Sequence, residues 1–294
     1  MSTFIPKLVV FGVGLIGGSL ALGLKRAGAV GEVVGVGRSG ANLQIALDLG
    51  IVDRVASNVA DALSGADVVL LAVPVGQMSA VMQLIAPHLA AQTLVTDVGS
   101  TKQDIIDLMR RDLAAQLTNC VPAHPIAGAE LSGPTAARAD LFQAKNLVLT
   151  PLPAITNSAA IDRIAEMWRL CGAEVSVMSA ADHDTIFAAV SHLPHLLAYA
   201  LVDMIAQRAN AEQLFGFAAS GFRDFTRIAS SSPEMWHDIA LANRSALLLE
   251  LEAYQTQLTQ LQEALLSMDS AALRNIFSTA QQARSDWLLR RAPG

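Results

Sequence analysis

Apolar and polar positions follow two regimes along this chain. From Lys7 to about Val177, short apolar and β-branched runs alternate with longer stretches of helical periodicity; from Ser179 onward the helical period is almost unbroken. Strands are predicted at Lys7-Leu8-Val9-Val10-Phe11, Glu32 to Gly37, Asp67 to Pro74 and Thr93 to Asp97. Further strands are predicted in the run ending at Cys120 and Val121, at Asn146 to Leu149 and at Glu174 to Val177. Helices are predicted up to about Lys25, over Met78 to Ile85, from Gln103, and over Ala159 to Leu170. Strand and helix in alternation give the α/β class, with a doubly wound, mostly parallel sheet. The change of period places a boundary near Met178, separating a sheet domain (1–178) from an all-helical domain (179–294). In the latter, Leu247, Leu251, Tyr254, Leu258, Leu261 and Leu265 recur at steps of four and three, a heptad seam suited to a homodimer.

Composition narrows the classes. Of 294 residues, 52% are hydrophobic, yet the apolar stretch Leu8 to Leu24 is broken by Gly12, Gly14, Gly17 and Gly18. It forms neither a bilayer span of ~20 residues nor a signal peptide. A cytoplasmic protein is expected, without a membrane partner. The net charge of -6 argues against nucleic acid. The two cysteines sit in apolar contexts and are expected to be reduced, and cysteines and histidines show no metal-ligand spacing.

The first strand runs directly into Gly12-Val13-Gly14-Leu15-Ile16-Gly17-Gly18-Ser19 and a helix, the context a dinucleotide fingerprint requires in a Rossmann-type domain. Gly12 permits the tight turn, Gly14 lets a pyrophosphate approach the backbone, and Gly17 lets helix and strand pack. The phosphate would meet free N–H groups at the helix N-terminus, by Leu15 and Ile16. The second strand ends in Gly37-Arg38-Ser39, without the acid that binds a ribose 2′-hydroxyl in NAD enzymes. Arg38 can pair with a 2′-phosphate and Ser39 can donate to it, so NADP is expected, with NAD as the alternative. Val73 and Pro74, at the end of another strand, complete the expected cofactor contacts.

His124 lies between Pro122 and Pro125, held on a segment leaving a strand end, where open α/β sheets bind ligands. Its ordinary pKa suits a general base, and a structural histidine is the competing reading. Glu130 and Ser132 follow on a segment bracketed by Gly128 and Gly133. Ser100 and Thr101 read equally as helix N-caps, and Lys102 as a solvated first-turn lysine. In the helical domain, His192 and His195 stand at i and i+3 around Pro194, with no carboxylate spaced to complete a metal site. Arg223 and Arg227 stand at i and i+4, so that one can clamp a carboxylate.

Taken together these motifs resemble the prephenate/arogenate (cyclohexadienyl) dehydrogenase family of tyrosine biosynthesis. The matching stretches are Gly12 to Ser19, Asp97-Val98-Gly99-Ser100-Thr101-Lys102, His124-Pro125-Ile126-Ala127-Gly128, Ser191-His192-Leu193-Pro194-His195 and Asp224-Phe225-Thr226-Arg227. The resemblance implies oxidative decarboxylation of a cyclohexadienol, with hydride passing to nicotinamide and carbon dioxide leaving as the ring becomes aromatic. It implies that His124 accepts the ring hydroxyl proton, Ser100 orients that hydroxyl, and Arg227 binds a substrate carboxylate. Ser191, His195, Glu130, Asp224 and Trp236 would be pocket or gating positions. It further implies a homodimer. Some relatives also carry a fused chorismate mutase or a regulatory amino-acid-binding domain, and this chain, ending at Gly294, is expected to carry neither. Two rivals remain: another NADP-dependent hydroxy-acid dehydrogenase and a catalytically silent NADP-binding sensor. The β-hydroxyacid dehydrogenases rely on a lysine in their second domain, and none occurs between Ser179 and Ser285.

Overall fold

The computed structural model describes residues 4–128 and 131–291, in two compact units, Met1–Arg244 and Ser245–Gly294. Along the chain come β1 (Ile5–Phe11), α1 (Leu15–Arg26), β2 (Val30–Val36), α2 (Gly40–Asp48), β3 (Arg54–Val55), α3 (Val59–Leu63) and β4 (Val68–Leu71). They are followed by α4 (Met78–Ile85), β5 (Leu94–Asp97), α5 (Gln103–Asp112) and β6 (Cys120–Val121). The six strands form one parallel sheet in the order β3-β2-β1-β4-β5-β6, the doubly wound arrangement the alternation predicts. Only β3, two residues long, carries no readable pattern.

Both faces of this sheet are covered, which explains the unbroken apolar runs. Leu8, Val10, Val33 and Leu70 face one core together with Trp168, whereas Val9, Phe11, Val34 and Leu71 face another with Met78, Met82 and Ile105. Each such side chain, fully withdrawn from water, contributes roughly 1.5–3 kcal/mol.

At Pro122 the chain changes sheet. Proline has no N–H to continue the ladder with β5, and the next residues form β7 (Ala123–Pro125) in a second sheet. There β7 pairs antiparallel with β8 (Asn146–Leu149), and β8 pairs parallel with β9 (Glu174–Val177), which follows α6 (Ser158–Leu170). His124 therefore follows the end of the parallel-sheet strand but lies within a strand of its own, β7, opposite Val148.

The unit closes with α7 (Ala180–Phe187), a π-helical turn at Ala188–His192, α8 (Leu193–Ala206), α9 (Ala211–Gly216), α10 (Ser220–Thr226) and α11 (Pro233–Ala242). Ala180–Ala206 is one continuous helix, long and apolar enough to cross a bilayer by length and composition. Its first turns carry buried His183 and Asp184, and the Asp184 carboxylate accepts the N–H groups of Lys102 and Gln103, which packs this end of the helix against the start of α5.

The second unit consists of α12 (Arg244–Leu266) and α13 (Ser270–Arg291). On the heptad seam Leu247 is buried and Leu251, Tyr254 and Leu261 are half-buried, while Leu258 and Leu265 are exposed.

Candidate active site

The C-terminal ends of β1, β4 and β5 open onto a cavity of about 950 Å³. Its floor is the glycine turn. Gly12 has φ +95°, and a Cβ there would lie 2.3 Å from the Ala72 carbonyl oxygen; at Gly17 a Cβ would lie 2.4 Å from the Gly12 oxygen. Gly14 is different: a Cβ there would meet nothing within 4 Å, because this position faces the cavity. Gly14 precedes α1 without a side-chain cap, and the first turn of α1 holds no acid, so its amide donors stay available to an anion. Leu15, Ile16, Val73 and Pro74 line the same cavity. These features fit a dinucleotide pyrophosphate. Arg38 and Ser39 lie exposed at the end of β2, and the Ser39 hydroxyl oxygen accepts the Asn42 N–H as the cap of α2.

His124 forms part of the opposite wall together with Ser100, Val98 and Gly99. What fixes β7 is an ion pair inside the protein. Lys102 and Asp97, both inaccessible to water, form a salt bridge, and Lys102 Nζ also donates to the Ala123 carbonyl at 2.7 Å. The other carboxylate oxygen of Asp97 accepts the Ala123 N–H at 3.0 Å, so this pair holds both backbone polar groups of Ala123, the residue before His124. The reading of Lys102 as a solvated lysine is thus corrected: the α5 start turns it inward to Asp97, five residues back at the end of β5. The capping reading of Ser100 and Thr101 is corrected too. No side chain of the preceding loop caps α5, and the Asp184 carboxylate accepts Lys102 N and Gln103 N instead, each at 2.9 Å.

The His124 ring meets His183 and Phe187 edge-on or tilted, each at 5.0 Å between centroids, and its Nδ1 lies 2.8 Å from Nε2 of His183. Burial, reinforced by the neighbouring His183, Lys102 and His192, holds the His124 pKa well below the ordinary imidazole value. Such a ring is neutral at neutral pH and able to accept a proton.

The remaining wall comes from the helical part of this unit. His195 and Arg227 line the cavity with Ser231, Ser232 and Met235. His195 stacks on Trp236 at 3.6 Å, and its Nδ1 is bonded to the Ser191 carbonyl at 2.9 Å, so Ser191 orients His195 through its backbone. Burial lowers the His195 pKa, partly opposed by the Ser191 bond. Trp236 is buried behind His195 and is not itself on the wall, and Asp224 lies exposed beside Arg223. His192 turns away through the π-helical turn to Asn243, and burial lowers its pKa to about 4. Glu130 lies outside the described residues. Among the described residues no cluster of three or more acidic, histidine or cysteine side chains is placed to hold a metal.

Asp97, Lys102, His183 and Asp184 are the participants that sequence reasoning missed. The signal available was two charged residues, Asp97 and Lys102, flanking an apolar strand end, and an Asp-His-Asp run opening an otherwise apolar helix.

Fold and cavity together place the chain among the dehydrogenases that use a pyridine nucleotide. Comparison with known families narrows the class: the prephenate dehydrogenase nucleotide-binding domain matches residues 20–177, and the prephenate dehydrogenase dimerization domain matches residues 179–279. The chain belongs to the prephenate dehydrogenase family. It is 37% identical to the cyclohexadienyl dehydrogenase of Zymomonas mobilis over 96% of both chains, and 34% identical to the prephenate dehydrogenase of Bacillus subtilis over 99% of this chain and 78% of that one. Among solved structures, Aquifex aeolicus prephenate dehydrogenase in complex with hydroxyphenyl propionate and NAD+ superposes with a TM-score of 0.91 at 32% identity, covering 97% of this chain and 99% of that one. Synechocystis arogenate dehydrogenase superposes with a TM-score of 0.81 at 28% identity, covering 96% and 99%.

Proposed function

We propose that this protein catalyses the oxidative decarboxylation of prephenate, arogenate or both, with NADP as the preferred hydride acceptor and NAD as the alternative. The observation that carries this reading is a neutral, rigidly held imidazole, His124, in one cavity with the glycine turn and Arg227. Gly12, Gly14, Leu15, Ile16 and Gly17, with Val73 and Pro74, would hold the dinucleotide, and Arg38 and Ser39 its 2′-phosphate. When bound, the nicotinamide supplies the hydride acceptor. Arg227 binds a substrate carboxylate, for which a guanidinium offers two parallel donors. Ser100 orients the ring hydroxyl toward His124. As the ring carbon loses hydride, His124 draws on the hydroxyl proton; the bond to the ring carboxylate then breaks, its electron pair completes the aromatic ring, and carbon dioxide leaves. The proton ends on the phenol oxygen. Ser191 and Trp236 support His195 on the substrate side, and Glu130 and Asp224 are assigned to the pocket or its gate by the family resemblance alone. The division into a dinucleotide domain (1–178) and a helical dimerisation domain (179–294) is part of the same reading. Exposed Leu248, Leu249, Leu258, Leu266 and Phe277 supply the apolar surface that a homodimer would cover.

The test is a four-way rate assay on purified protein, following reduced nicotinamide with prephenate or arogenate and NAD or NADP. Turnover of a ring substrate, faster with NADP, is the expected result. No turnover with either substrate while NADP still binds would leave a silent sensor or another hydroxy-acid dehydrogenase.

A further inference from the structure

His124 does not stand alone. Its Nδ1 lies 2.8 Å from Nε2 of His183, and Nδ1 of His183 lies 2.8 Å from Oδ1 of Asp184, giving a buried line of two rings and a carboxylate. The protons on this line follow from its far end. Asp184 accepts three N–H groups: Lys102 N and His183 Nδ1 at Oδ1, and Gln103 N at Oδ2. Burial works to raise the pKa of Asp184, but these bonds hold it below the ordinary carboxylate value, so it is ionised and can only accept. His183 must then carry its proton on Nδ1. Burial lowers the His183 pKa despite the adjacent carboxylate, which keeps the ring neutral and leaves a lone pair on Nε2. A 2.8 Å contact between two ring nitrogens needs one donor, so the proton belongs to His124 Nδ1.

We propose that His183, oriented by Asp184, is a positioning residue that sets the tautomer of His124 and leaves Nε2 of His124 as the lone-pair nitrogen. The inference rests on the reading of His124 as the base and goes beyond it by naming which nitrogen reacts and what enforces the choice. Placing a ring between the carboxylate and the base has a chemical reason. A carboxylate in direct contact would raise the pKa of His124; one ring away, Asp184 fixes the proton without doing so. The logic is that of a carboxylate orienting a catalytic histidine, lengthened by one imidazole.

The experiment is a 15N spectrum of histidine-labelled protein near neutral pH, with His124 assigned by its disappearance in His124→Asn. The expected result is a protonated Nδ1 and a bare Nε2. A protonated Nε2, or a doubly protonated His124, would overturn the proposal. The second variant is His183→Phe, which keeps the aromatic packing on Phe187 and removes the accepting lone pair. There the His124 proton should shift to Nε2, with kcat lower by about 10²-fold and KM within about twofold. An unchanged tautomer and kcat in this variant would overturn the proposal, and the wild-type spectrum decides alone if the variant does not fold. Placed in the His124→Asn background, His183→Phe should add no further loss. Should His124→Asn itself turn over normally, the base reading fails, while the wild-type spectrum still reports the tautomer separately.

Discussion

The two sides of the cavity are built from different material. On the dinucleotide side the ligand-facing surface is backbone: a turn whose residues are neighbours in sequence, with no side chain capping α1 and no charge needed in its first turn. On the histidine side it is the His124 ring of β7, held from behind by buried side chains from three further segments, β5, the start of α5 and α7, tied by an ion pair and by hydrogen bonds to a second carboxylate. The first surface works by leaving atoms out, the second by placing charge and protons correctly. They should therefore fail in opposite ways, the glycine side when an atom is added and the histidine side when a group is removed.

The largest expected effect is on the chemistry. His124→Asn should lower kcat by about 10²–10⁴-fold, the usual worth of a general base, with cofactor affinity intact; steady-state rates and a separate NADP titration check both halves. Next comes Lys102→Met, which strands a buried carboxylate. Because Asp97 keeps the N–H groups of Gly99 and Ala123, the loss should sit near the low end for a broken buried pair, about 3 kcal/mol. Denaturant unfolding measures it, and a loss within error of zero would mean that the pair does not hold β7. On the other side, Gly14→Ala should fold normally, since its φ of -106° is ordinary for alanine and a Cβ has room. Its KM for the cofactor should nevertheless rise roughly tenfold, about 1.4 kcal/mol, as the methyl group meets the pyrophosphate. The smallest effect is in pH. With burial holding the His124 pKa below the ordinary value and the neutral ring as the active form, kcat/KM should stay level as pH falls through 6.5 and decline only below it. A decline centred at or above 6.5 would place the working base elsewhere.

The same division explains what the sequence could reveal. The strands and helices were legible because each strand is a local run and each helix a local period: β8, β9 and α4 begin and end where the pattern says. The glycine turn was legible because its geometry is set by the spacing of three glycines that are close in sequence. The histidine site was legible at His124, Ser100, His195 and Arg227, which share its cavity. Lys102 looked solvated because nothing local to it says that Asp97 and Ala123 will surround its ammonium. His183 and Asp184 were invisible for the same reason, standing 59 and 60 positions from His124 and joined to it only by packing. The change of sheet was also missed, since a proline two residues before the histidine reads as stiffening and gives no hint that the ladder ends there.

That change of sheet also bears on how such an enzyme can diversify. Because the ladder to β5 stops at Pro122, the residues after Pro125 belong to the cavity rim and not to the parallel sheet. Gly128, Leu131 and Ser132 reach the same cavity as the glycine turn, yet none of them belongs to a strand. Substitutions or length changes here can reshape the space offered to a substrate's side chain while the cofactor floor and the grip on Ala123 stay as they are. On the proposed reading, substrate preference would be modular in this architecture: it would drift by retouching one rim, without renegotiating the machinery that handles the proton and the hydride.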